Sequence, residues 1–297
     1  MMKLMIAAMP DDVAPARRLE RETGLPLSEI GVHAFPDGES LVRAPGAAET
    51  VILYCSLDRP NQKLVELGLA VSAFRDLGAK RLVLVAPYLC YMRQDKAFHT
   101  GEAVAQRFIG ALLAGWFDRV VTIEPHLHRV KNLGDVMPGT ETAALSGAEL
   151  LAQMIASDGA PAGVLLVGPD AESRAWTAAV AKATGAPFIV LQKNRSGDRD
   201  VEISLPDDAD VKGKRIFLVD DIASTGATLA AAARLLQLKG AGRIEAAVVH
   251  AFFKERDEET MRDAGIERVR STDSVAHRTN AVFVAPLLAN ALKEERR

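Results

Sequence analysis

The chain has 297 residues, 48% of them hydrophobic and 25% charged, and carries a formal net charge of -3. That length supplies material for roughly two domains of ordinary size, and the near balance of charge gives no reason to expect nucleic acid or an anionic membrane as a partner. The only cysteines, Cys55 and Cys90, lie in apolar runs and read as buried thiols in a reducing, cytoplasmic setting rather than a disulfide framework.

The first nine residues have a faint signal-peptide look, but Pro10-Asp11-Asp12 cuts the run short, so residues 3–9 read as a first core strand. No stretch reaches the roughly 18 to 20 apolar residues that a membrane-spanning helix requires. A helix is expected over 13–23, ending at Gly24. A strand over 30–34 then enters Phe35-Pro36-Asp37-Gly38-Glu39, whose proline and glycine mark a hairpin turn. From Thr50 the pattern becomes regular, with strands at 51–56, 81–88 and 119–124 and helices at 62–77 and 103–114. Strands alternating with helices predict a parallel α/β architecture.

The same phrase returns in the second half. The strand at 51–56 leads through a helix to Gly78-Ala79-Lys80-Arg81, and the strand at 216–221 leads through a helix to Gly240-Ala241-Gly242-Arg243. This is the mark of an internal duplication, and it divides the chain into two similar domains, 1–145 and 146–297. Residues 132–147, weakly patterned and containing glycine and proline, read as the linker between them. In the second half, strands are expected at 163–168 and 187–191 and helices at 172–184 and from about residue 286. The charged end at 293–297 reads as a solvated helix terminus.

One stretch organises the second half. Ile216-Phe217-Leu218-Val219 is a short, β-rich apolar run, as befits a strand buried on both faces. It ends in Asp220 and Asp221, and the strong helix formers that follow start a helix near Thr225. Between them Ser224, Thr225, Gly226, Ala227 and Thr228 offer backbone N–H groups and hydroxyls at a helix N-terminus, an anion site that small side chains leave open. Two carboxylates beside such a site repel a bare phosphate but accept hydrogen bonds from hydroxyls. A phosphorylated ribose satisfies both halves. Only the second copy of the repeat keeps these features, so one such site per chain is expected.

Three further segments follow predicted strands, where open α/β sheets bind ligands. Pro87-Tyr88-Leu89-Cys90-Tyr91-Met92-Arg93-Gln94-Asp95-Lys96 supplies cationic donors at Arg93 and Lys96. Thr122-Ile123-Glu124-Pro125-His126-Leu127-His128 places two histidines on one face of an extended segment, readable either as a metal site or as ordinary solvent-facing residues. Phe188 to Leu191 opens into the polar run Gln192-Lys193-Asn194-Arg195-Ser196-Gly197, readable as a solvated hairpin or as a mobile cationic flap.

Taken together, these segments resemble the ribose-phosphate pyrophosphokinase, or PRPP synthetase, family. The stretch 219–228 looks like the loop that this family shares with type I phosphoribosyltransferases. Tyr88-x-x-Tyr91-x-Arg93-Gln94-Asp95 is similar to a segment that phosphoribosyltransferases lack, and Phe35-x-Asp37-Gly38-Glu39, Pro169-Asp170 and Lys193-x-Arg195 match further family motifs in the same order. The resemblance implies two type I phosphoribosyltransferase-like domains, each a mostly parallel sheet flanked by helices. It implies transfer of the β,γ-diphosphate of magnesium-ATP to ribose 5-phosphate, giving PRPP and AMP. Phe35, Asp37, Glu39, Arg93, Gln94 and Asp95 would contact ATP, the first three across a subunit interface of a homo-oligomer. His126 and Asp170 would serve Mg2+, Asp220, Asp221 and Ser224 to Thr228 the ribose phosphate, and Lys193, Arg195 and His126 catalysis. The sequence departs from the pattern at Glu124-Pro125, His128 and Glu172-Ser173, and the changes at Glu124-Pro125 and Glu172-Ser173 leave a non-catalytic regulatory paralogue as one alternative; the other is a PRPP-consuming phosphoribosyltransferase, which the ATP-type motifs disfavour.

Overall fold

The computed structural model describes residues 2–157, 159, 163–196, 200–207 and 209–296, with the backbone alone for 193–196 and 200–203. It divides into two compact units, Met1–Leu145 with Val284–Arg297, and Ser146–Phe283.

The first unit runs β1 (Met2–Ala8), α1 (Val13–Thr23), β2 (Leu27–Glu29), β3 (Gly31–Ala34), β4 (Ser40–Arg43), β5 (Ala48–Tyr54), α2 (Pro60–Asp76), β6 (Arg81–Ala86), α3 (Ala105–Ala114), β7 (Arg119–Ile123), α4 (Leu133–Val136) and β8 (Glu141–Leu145). Its sheet has the order β2-β1-β5-β6-β7-β8 and is parallel throughout. Val51 to Tyr54 and Leu82 to Ala86 are almost wholly buried, because crossover helices cover both faces of a parallel sheet and leave no position for alternating polar residues. β3 and β4 form a separate antiparallel hairpin whose tip is Phe35 to Glu39.

The second unit runs α5 (Ala148–Ala156), β9 (Val164–Gly168), α6 (Arg174–Thr184), β10 (Phe188–Val190), β11 (Gln192–Ser196), β12 (Asp200–Ser204), β13 (Arg215–Ala223), α7 (Ala227–Leu238), β14 (Ile244–Ala251), α8 (Glu255–Asp263), β15 (Ile266–Thr272) and β16 (Asn280–Val282). Its parallel sheet has the order β10-β9-β13-β14-β15-β16. Strand for strand, this is the order of the first unit. The hairpins correspond as well: β11–β12 is antiparallel and inserted between β10 and β13, as β3–β4 is between β2 and β5. The duplication therefore extends to the whole architecture.

Two segments differ from the sequence reading. Residues 132–147 are not a plain linker, since they contain α4 and β8, the sixth strand of the first sheet. Glu141-Thr142-Ala143-Ala144-Leu145 has little hydrophobic signal because it is an edge strand, half exposed and paired on one side only. The chain closes with α9 (Ala285–Ala291) and a 3-10 turn (Leu292–Arg296). These pack with the first unit, α9 lying against α1, whereas the sequence reading assigns them to the second domain. Among the described residues no helix is long and apolar enough to cross a membrane.

Candidate functional site

In the second unit β13 runs further than its apolar core predicts. Asp220 and Asp221 are strand residues, because pairing with β14 continues through Asp220 opposite Val248 and Ile222 opposite His250. The chain then turns at Gly226, whose φ of 69° is left-handed. α7 accordingly starts at Ala227, two residues later than the sequence suggests, and the Ala230 N–H closes its first turn on the Gly226 carbonyl at 2.8 Å. Ser224, Thr225, Ala227 and Thr228 are exposed around the buried Gly226. Thr225 Oγ1 accepts from the Ala227 N–H at 3.4 Å. The result is an open cradle of small residues at the N-terminus of a helix, with two carboxylates at its entrance.

Asp170 follows β9, the neighbour of β13, and its Oδ1 accepts from the N–H groups of Glu172 (3.1 Å) and Ser173 (3.3 Å), capping a 3-10 turn. It thereby joins the two aspartates of β13. Burial, then Asp221, then Asp170 push the Asp220 carboxyl well above the usual carboxylate range, as like charges sharing a site do. Among the described residues no ion pair engages Asp170 or Asp220. Carboxylates so placed suit a set of hydroxyl donors. Lys193 and Arg195 fall on β11, in register opposite Ile203 and Val201; their side chains lie outside the described residues.

In the first unit Arg93, Gln94, Asp95 and His126 follow β6 and β7 at the corresponding end of the sheet, and Phe35 to Glu39 form the tip of the separate hairpin. Arg93 is exposed on the loop after β6, and among the described residues it makes no hydrogen bond or ion pair. The Gln94 amide bridges the start of α3, donating from Nε2 to the Ala103 carbonyl (2.6 Å) and accepting at Oε1 from the Ala105 N–H (3.3 Å). Asp95 pairs with Arg129 Nε at 3.3 Å, which ties this loop to the one after β7. There Glu124 has a φ of 42°, so the segment is not extended. His126 and His128 meet edge to face, ring centroids 3.9 Å apart, with their Nε2 atoms in contact. Phe35 is 41% exposed at the hairpin tip and packs edge-on against His33. Glu39 lines an open cleft of about 520 Å³ with Gly38, Ser40, Gln62, Val65 and Leu69.

A cluster that the sequence reading missed lies beside β1 and β5. Aligning Met9-Pro10-Asp11 with Gly168-Pro169-Asp170 and following the strand registers, Ala8 opposite Tyr54 and Val167 opposite Leu218, sets Ser56 at the place of Asp220. The Ser56 N–H donates to Asp12 Oδ2 at 3.1 Å, and Lys63 Nζ reaches Asp58 Oδ1 at 2.5 Å and the Ser56 carbonyl at 2.8 Å. The first unit thus holds a lysine among its buried carboxylates. The repeated Pro-Asp after the first strand of each half was the available signal.

Paired copies of one parallel sheet, the second ending in an acidic strand and a small-residue cradle, define a chain of two phosphoribosyltransferase-type units. Residues 4–115 match the family described as the N-terminal domain of ribose phosphate pyrophosphokinase, and residues 141–287 match the phosphoribosyl transferase domain family. The chain is 32% identical over 292 residues to the ribose-phosphate pyrophosphokinase of Methanopyrus kandleri, spanning 98% of this chain and 99% of that protein. It is 32% identical over 293 residues to ribose-phosphate pyrophosphokinase 2 of Archaeoglobus fulgidus, spanning 96% and 99%. A crystal structure of phosphoribosylpyrophosphate synthetase from Mycobacterium smegmatis shares the fold, with a TM-score of 0.82 over 98% of both chains at 24% identity. The chain belongs to the ribose-phosphate pyrophosphokinase family.

Proposed function

We propose that this chain transfers the β,γ-diphosphoryl group of ATP to the anomeric hydroxyl of ribose 5-phosphate, giving PRPP and AMP. The observation that carries the reading is the continuity of β13 and α7: Asp220 and Asp221 stand at the entrance of a cradle whose amides suit the 5-phosphate. The carboxylates accept from the ribose hydroxyls and fix the sugar. Its anomeric oxygen attacks the β-phosphorus in line, the bond from that phosphorus to the oxygen bridging it to the α-phosphorus breaks, AMP leaves, and the hydroxyl proton passes to solvent. Positioning and charge neutralisation suffice, with no protein nucleophile. Arg93, without a partner among the described residues, offers its guanidinium to the nucleotide phosphates. Gln94 and Asp95 shape that loop, and Phe35, Asp37 and Glu39 meet the nucleotide from a second copy of the chain in a cytoplasmic homo-oligomer. Lys193 and Arg195 stabilise charge on the group in transit.

Magnesium fits this arrangement through Asp170: burial first, then Asp221 and Asp170, raise the Asp220 pKa, and a cation would relieve the repulsion between the carboxylates. No group of three or more acidic, histidine or cysteine ligands forms a metal cage among the described residues; magnesium in general keeps several waters and takes only one or two protein carboxylates beside substrate phosphates. His126 is the other proposed metal-associated side chain, and it must turn its Nε2 away from His128 to act. Bound magnesium would supply charge neutralisation on the polyphosphate.

The test is to supply ATP, magnesium and ribose 5-phosphate and to measure products by chromatography. Equimolar AMP and PRPP are expected. ADP as the product, or no turnover at any magnesium or phosphate concentration, would overturn the reading. Lys193→Ala should lower turnover while leaving ATP affinity nearly intact.

A further inference from the structure

α8 is a strongly charged helix, Glu-Arg-Asp-Glu-Glu-Thr-Met-Arg-Asp, with one buried side chain, Met261. That side chain is fully buried, and it lies under the cradle. A Cβ added at Gly226 would meet Met261 Sδ at 2.3 Å, Cε at 2.8 Å and Cγ at 2.9 Å. Gly226 therefore rests directly on the thioether. The same segment also holds the entrance of the loop, since the Phe252 N–H, just before α8, donates to the Ala223 carbonyl at 2.9 Å.

We infer that Met261 is a positioning residue for the ribose 5-phosphate loop: its thioether is the floor that sets the height of Gly226 and of the amides that follow it. The inference rests on the reading of residues 220–228 given above. A left-handed glycine has little conformational preference of its own to hold it in place. The support has to come from packing, and Met is the side chain that best fills an irregular gap beneath a turning backbone. Met261 is the one buried side chain of α8, and it links the core of this unit to the underside of the loop.

Kinetics and ribose 5-phosphate calorimetry on the full chain test this. Met261→Ala should raise the KM and Kd for ribose 5-phosphate about tenfold or more while the KM for ATP stays within about twofold, because a small misplacement of a binding group is costly. Met261→Leu, which conserves volume, should restore most of the ribose 5-phosphate affinity. Should the alanine variant not fold, Met261→Val, which removes the thioether end but keeps an apolar side chain, gives the same comparison. A folded Met261→Ala or Met261→Val variant with an unchanged ribose 5-phosphate KM, or with both KM values raised together, overturns the role. A wild-type chain that neither binds ribose 5-phosphate nor yields AMP overturns the functional reading instead.

Discussion

The Glu295 carboxylate grips Arg81 through two parallel hydrogen bonds, 2.8 Å to Nε and 3.0 Å to Nη2, and accepts a third from Arg119 Nη1 at 2.8 Å. Its side chain is 4% exposed, so the charged run at the end of the chain is not simply a solvated helix terminus. Burial opposes ionisation of Glu295, but the bonds from Arg81 and Arg119 outweigh it and hold the carboxyl below the usual glutamate range. Its contribution to stability is therefore present above the ordinary glutamate pKa and is lost as pH falls through the lower folded value. Without Glu295, Arg81 keeps Glu141 but the buried Arg119 keeps, among the described residues, only Glu294 at 3.5 Å as a carboxylate partner, so Glu295→Ala, which removes three charge-assisted hydrogen bonds, should cost roughly 2 kcal/mol in urea unfolding near neutral pH. Glu294, whose side chain is 74% exposed, should tolerate the same change with a loss under about 0.5 kcal/mol.

Asp12 gives the opposite pH dependence. Burial pushes its carboxyl up to about 7, with Lys63 and the Ser56 N–H pulling down and Asp58 and Asp11 adding to the rise. Lys63, which burial alone would lower, is raised by Asp58 and Asp12. The folded chain binds a proton at Asp12 that the unfolded chain has released above about pH 4, so this residue's contribution to stability falls as pH climbs from about 4 to about 7 and is level beyond. Asp12→Asn should flatten the unfolding free energy across that window. Denaturant midpoints at half-unit pH intervals measure it, and an unchanged slope in the variant would refute the assignment.

Asp220 should trade stability against binding. Because burial, Asp221 and Asp170 all oppose its ionisation, Asp220→Asn removes repulsion, and the ligand-free chain should melt several degrees higher, a shift equivalent to about 1–2 kcal/mol. The same variant should lose the protection that ribose 5-phosphate with magnesium confers on the wild type, and its kcat/KM should fall about a hundredfold or more, since bonds to the sugar hydroxyls are lost. Thermal melts with and without ligands separate the two effects.

Local chemistry made much of this fold legible. Continuous apolar runs announced β5, β6 and β13, helix formers announced α2 and α7, and the phrase shared by the two halves announced the repeat. What sequence reading lost depends on distant pairing. β13 extends through Asp221 because β14 lies beside it, and nothing in two aspartates says strand. β8 forms because β7 offers an edge, although its own pattern is weak. Glu295, Lys63 and Met261 have ordinary local surroundings, and their roles arise from partners 214, 5 and 35 positions away. Of these, only the Lys63–Asp58 pair is close in sequence, and with Asp58 ahead of α2 and five residues away it follows no helical spacing rule.

Gly226→Ala isolates the contact beneath the cradle. The backbone there has a φ of 69°, where an L side chain costs about 1–2 kcal/mol. The new methyl would also sit 2.3 Å from Met261 Sδ, a clash that a flexible thioether relieves only by leaving its own place in the core. The single variant should therefore lose roughly 2–3 kcal/mol of stability by the combined backbone and overpacking terms. In the Gly226→Ala, Met261→Ala double variant the clash is gone while the backbone cost remains. The pair should be less destabilised than the sum of the single variants by about 1 kcal/mol, the coupling expected of residues in contact. A double-mutant cycle in urea measures that coupling directly, and strict additivity would mean that the loop does not rest on Met261.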